Sequence, residues 1–129
     1  MKTKVMLTVG LLALFAVMSG YGQPSILKAK IDFPFKVESQ VLPAGQYEFT
    51  QDSQGTAFRV QGEGKNGALV MILTQMAAER HAIAKEAHLV FDVVGDTHLL
   101  SEIWIPGEDG YMLAVTKGPH KHKVINVKY

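Results

Sequence analysis

Hydrophobic and polar side chains alternate through "IDFPFKV": Ile31, Phe33, Phe35 and Val37 share one side, and Asp32, Pro34 and Lys36 the other. A period of two marks a half-buried strand. Pro34 has no amide hydrogen to give to a ladder, which predicts an edge strand or a bulge at that point. Leu42-Pro43-Ala44-Gly45 suits a β-turn, with proline at its second position and glycine at its fourth. Tyr47 and Phe49 resume the alternation directly afterwards. The turn itself holds no nucleophile, acid or base, so it reads as a corner of the fold.

Further along, "TAFRVQG" (Thr56–Gly62) and "ALVMILTQM" (Ala68–Met76) flank the turn-rich "GEGKNG". The second run is apolar on both faces, the pattern of a central strand covered on both sides. "AAERHAIAKEA" (Ala77–Ala87) is rich in alanine and charge and allows one or two helical turns, or an irregular connection. "HLVFDVV" and "HLLSEIWI" surround Gly95-Asp96 as a hairpin, and "PGEDG" makes the next turn. "YMLAV" and "KVINVKY" add two more short strands. About eight short strands with glycine, proline and aspartate turns predict an all-β domain, a single antiparallel β-barrel or β-sandwich. Closure into a barrel would remove exposed edges.

The first residues follow another rule. Lys2 and Lys4 precede "VMLTVGLLALFAVM" (Val5–Met18), which carries no charge, and the small-residue passage "SGYGQ" comes next. This is the order of a secretory signal peptide. Crossing a bilayer takes about 20 apolar residues, so a permanent anchor is the weaker alternative. Gly20 and Gly22 place the cut between Gly22 and Gln23. The expected organisation is a signal peptide over 1–22, a tether over 23–28 and an antiparallel β domain over 29–129. The product is then exported, periplasmic or extracellular, with no membrane span once the signal is removed.

Composition narrows the function classes. The chain has no cysteine, which rules out a disulfide framework and a lipid-modified cysteine; the core alone must hold the domain. Thirteen Lys and Arg less Lys2 and Lys4 leave eleven against twelve Asp and Glu, a formal charge of −1 after export. The one basic cluster, "HKHK" at 120–123, is short, and no footprint for nucleic acid exists.

Candidate chemistry is sparse. Ser25, Ser39, Ser53 and Ser101 all lie outside a G-x-S-x-G elbow, and "GEGKNG" lacks the P-loop spacing and its Lys-Ser/Thr ending. His120 and His122 would point to the same side of a strand, yet two imidazoles make half a zinc shell, and a carboxylate would have to come from elsewhere. The bland reading is a solvated strand, and no metal or cofactor is expected. His81, alone in the alanine-rich connection, carries less information still.

The hairpin is the most informative stretch. Leu89, Phe91 and Val93 form an apolar odd set that Leu99, Ile103 and Ile105 continue, with Ser101 among them. A two-residue Gly95-Asp96 turn would pair odd with even positions, whereas an odd loop or a one-residue bulge would keep the faces apart. On the second register His88, Asp92, His98, Glu102 and Trp104 share a face that suits a polar ligand, a metal or assembly. The plainer alternative is the solvated side of a sheet, with Trp104 partly wet.

"IDFPFKV", "LPAGQYEF", "LVFDVVGDTHLLSEIW" and "PGEDG", in that order, resemble a group of small exported all-β proteins abundant in acidobacteria. The resemblance covers Ile31 to Gly110 and rests on turn and core residues. The group has no assigned activity, so the resemblance implies no catalytic or binding residue. The C-terminal "KGPHKHKVINVKY" departs from the group's more polar, basic ending. The expected function is therefore that of an exported non-catalytic β-domain that binds a ligand or envelope component, or serves structurally. One alternative is a self-assembling subunit, a homo-oligomer that pairs through its first and last strands. A small hydrolase or metal-dependent enzyme is a third.

Overall fold

The computed structural model describes residues 26–76, 86–108 and 110–128. The expected signal peptide over 1–22 and most of the alanine-rich connection, including His81, lie outside the described residues. Among those described, eleven strands and no helix are present, so the domain is all-β.

One four-stranded antiparallel sheet has the order β1 (Ile26–Ile31), β4 (Gly45–Gln51), β5 (Ala57–Gln61), β6 (Gly67–Met71). The other runs β11 (Lys121–Asn126), β8 (His88–Val94), β9 (Thr97–Trp104), β10 (Gly110–Met112), β7 (Thr74–Met76). Beside it, β2 (Phe35–Val37) pairs with β3 (Gln40–Leu42) and touches β9 through a parallel bridge at Lys36 and Leu99. The sheets curl around one core to which both contribute, from Leu27, Phe49 and Val60 on one side to Leu89, Phe91 and Ile103 on the other.

Two seams draw the sheets together. Lys28 and Lys128 exchange backbone hydrogen bonds of 3.0 and 3.1 Å, which sets the end of the chain beside β1. On the far side the Gln40 amide donates to Gly67 O at 2.8 Å, and Met71 N donates to the Glu38 carboxylate at 3.3 Å. β1 and the stretch after β11 thus meet each other at the first seam. C-terminal strand formation is clear despite the departure from the group's pattern.

Three local expectations are corrected. The run Ile31–Val37 is not one strand: it breaks over Asp32–Pro34, and the chain passes from the first sheet to the second. Pro34 explains the break, since a ladder cannot continue through a residue without an amide hydrogen. Ile26–Lys28, expected in the tether, belong to β1, and Leu27 is fully buried. Nor is Ala68–Met76 a central strand. It divides into β6 and β7, and β6 closes its sheet's edge with Leu69 and Met71 exposed.

The corner at Pro43 stands as read. β3 ends at Leu42 and β4 begins at Gly45. The Tyr47 hydroxyl donates back to Pro43 O at 2.6 Å, tying the corner to the strand that leaves it. Burial pushes the Tyr47 phenol above its ordinary pKa. Its ring meets Phe35 edge to face, with centroids 5.0 Å apart, and Phe35 in turn meets Phe91 at 5.6 Å, so aromatic contacts run across the core between the sheets.

Candidate metal centre

The hairpin β8–β9 has a two-residue turn, and Val94 lies opposite Thr97. Odd therefore meets even near the turn: Val93 opposes His98, Asp92 opposes Leu99 and Phe91 opposes Leu100. Past Phe91 the register slips by one, and Val90 opposes Glu102 while His88 opposes Trp104. The extra residue is Ser101. A bulge of this kind sets two successive residues against one and re-aims a side chain. Here it leaves Leu100 and Ile103 in the core and turns Ser101 toward Asp92, on the face opposite to Phe91.

The expected five-residue face is thus divided. His88, Asp92, Glu102 and Trp104 share one side, while His98 lies on the other and stacks on Phe33, which also meets Phe91. Leu99 moves out of the core set for the same reason. The shared face is also drier than expected: Trp104 is 3 % exposed, His88 9 % and Asp92 4 %. Trp104 lies between His88 on β8 and Gly110 on β10, its indole nitrogen donating to Glu102 Oε1 at 2.9 Å.

Asp92 has a different company. Its direct partner on β11 is His122, whose Nε2 stands 3.2 Å from Asp92 Oδ1. His120, just before β11, brings its Nε2 to 3.8 Å from the same oxygen and 3.1 Å from His122 Nε2. Three donor atoms of types that bind metals therefore converge from two strands and their approach. Donors about 2.0–2.1 Å from a tetrahedral zinc ion stand about 3.3 Å apart, and cis donors of square-planar copper(II) about 2.9 Å apart. Two edges of the observed triangle, 3.1 and 3.2 Å, fall between these separations, and the third, 3.8 Å from His120 to Asp92, is longer than either. Calcium and magnesium prefer oxygen ligands in larger number, so two imidazoles speak against them.

The surroundings hold each donor in place. Thr116, in the connection from β10 to β11, donates its hydroxyl to Asp92 Oδ2 at 2.7 Å. The Ser101 hydroxyl lies 3.0 Å from Asp92 Oδ1 and 3.1 Å from Val90 O, and its one proton serves either acceptor. His120 Nδ1 is 2.9 Å from Gly118 O. A carbonyl only accepts, so Nδ1 carries the hydrogen and the neutral ring keeps its lone pair on Nε2, toward the cluster. Gly118 has φ 88°, a conformation glycine adopts without strain, and it turns the chain into His120. Support from neighbouring groups of this sort is characteristic of metal-ligating histidines and carboxylates.

Sequence reasoning found the two histidines and found Asp92, but placed them in separate sites. What joins them is the pairing of β8 with β11. The alternation in "HLVFDVV" and "HKVINVKY" marks both as strands without saying that they are neighbours.

No protein-family model, no curated protein and no solved structure matches this chain.

Proposed function

We propose that this protein is an exported, non-catalytic β-domain that binds one divalent transition ion, zinc or copper(II), through Asp92, His120 and His122. The observation that carries the reading is the convergence of two Nε2 atoms and one carboxylate oxygen within 3.8 Å of one another. A buried aspartate held by two hydroxyls and a histidine fixed in its ligating tautomer add to it. Ser101 and Thr116 are engaged in orienting that carboxylate, which favours a binding role over a nucleophilic one. Export rests on the order Lys2, Lys4, apolar run and small-residue passage at the start of the chain.

Untagged mature domain, stripped with chelator and dialysed against zinc or copper(II), is expected to retain one equivalent by elemental analysis. His122→Ala, at an exposed position, is expected to lose it while remaining folded. Equal retention by wild type and variant would sink the proposal.

A further inference from the structure

Three donors do not complete a four-coordinate ion. Among the described His, Cys, Asp and Glu side chains, the cluster comprises Asp92, His120 and His122 alone. Structural zinc sites close with four protein ligands, whereas sites with three keep a position for water or an incoming molecule.

The cluster is also open on one side. The Asp92 side chain is 5 % exposed, that of His120 22 % and that of His122 55 %. Exposure thus rises from the carboxylate to the imidazoles, and the way in lies on the histidine side. Asp92 offers the ion one oxygen, because Oδ2 is occupied by the Thr116 hydroxyl. One carboxylate against a divalent cation leaves the centre with a single positive charge. Lys121 and Lys123 flank His122 in sequence but lie on the other face of β11, with Lys123 Nζ 4.5 Å from the Phe33 ring centroid, so attraction of an anion falls to the ion itself.

Resting on the metal-binding reading above, we infer that the bound ion keeps one coordination position toward solvent, and that this position takes a small anionic oxygen or nitrogen donor. The protein then has a second ligand class besides the ion: small oxyanions such as carboxylate or phosphate, held by the metal. The anion adds to the ion without displacing a protein donor, so the ion stays in place. Ser101 and Thr116 remain bound to Asp92 or to the backbone throughout.

Cobalt(II) serves as the spectroscopic stand-in for zinc, and azide as the probe anion. The mature domain is loaded with cobalt, titrated with azide and passed through a desalting column for cobalt analysis. The expected result is a saturable change in the visible bands with cobalt retained, reversed competitively by acetate or phosphate. An unchanged spectrum with cobalt bound would overturn the inference, since a further protein donor must then fill the position. A spectral change accompanied by loss of cobalt would overturn it as well, because the anion would be stripping the site. Failure to load cobalt, zinc or copper(II) at all would be a different result, and would remove the underlying metal reading instead.

Discussion

His88 and Trp104 face each other directly across β8 and β9, their rings within 10° of parallel and their centroids 5.8 Å apart. The next residue in the same row is Gly110 on β10, where a Cβ would come within 2.5 Å of the indole. The indole thus fills the space that a side chain at Gly110 would need. Aromatic cover over a glycine on a neighbouring strand is a recognised device for sheet stability.

The single tryptophan should therefore report a dry site. Emission from the mature domain is expected to be blue-shifted and poorly quenched by iodide. His88→Ala removes one wall and should shift the emission to the red and raise quenching, at a stability cost of about 0.5–1.5 kcal/mol from the lost ring pair. A wild-type indole that iodide quenches freely would contradict the arrangement.

Gly110→Ala tests the same row from the other side. A methyl group has no space beside the buried ring, so the strand or the indole must shift, costing about 1–3 kcal/mol as overpacking usually does. Denaturant unfolding monitored at Trp104 would measure it; an unchanged midpoint would show that the ring yields.

At the candidate metal centre, zinc should raise the melting temperature of the wild type and leave His122→Ala unmoved. Mass action predicts about 2.7 kcal/mol of added stability at one hundred times the dissociation constant. Asp92→Ala should be costly even without metal, by about 1–3 kcal/mol, because the Thr116 hydroxyl loses its buried acceptor while Ser101 keeps only Val90 O. Thermal scans with and without zinc separate the two effects.

The turn between β4 and β5 supplies a pH dependence. The Thr56 hydroxyl, with help from the Thr56 backbone amide, holds the Asp52 carboxyl below its ordinary pKa. A carboxyl depressed in the fold stabilises it above the unfolded pKa, about 3.9, and that contribution fades as acid protonates the folded group. Asp52→Ala should therefore be less stable than wild type at neutral pH, with the gap closing as the pH falls below about 4. A gap that is constant with pH would mean the fold does not favour the ionised Asp52 over the protonated one.

Much of the fold was legible because it depends on neighbours in sequence. The corner at Leu42–Gly45 and the odd core set of Leu89 and Phe91 follow from local chemistry. What was not legible depends on distant partners or on a single inserted residue. The split at Pro34 could be read as an edge or a bulge, and only packing against the second sheet makes it a crossing. Leu69 and Met71 look like core residues by type, yet they sit on an edge strand with their side chains exposed. Asp92 and His122 are thirty positions apart, and alternation carries no information about which strands adjoin. His98 left the expected face because the bulge sits beyond it rather than at the turn.

Ser101 has a consequence for how such a site can arise by mutation. A strand without the extra residue would keep one parity throughout, and Asp92 would lack a hydroxyl on its own hairpin. One added codon in the middle of β9 reverses parity for the far half of the strand while the turn at Gly95-Asp96 stays untouched. The pairs on either side of the added residue keep their faces, so the core is spared while Asp92 gains a hydroxyl neighbour. Insertion reaches it in one step. The reverse change is as local: deleting Ser101 would leave Val90–Glu102, Leu89–Ile103 and His88–Trp104 paired as one continuous ladder and would take from Asp92 only its hydroxyl neighbour.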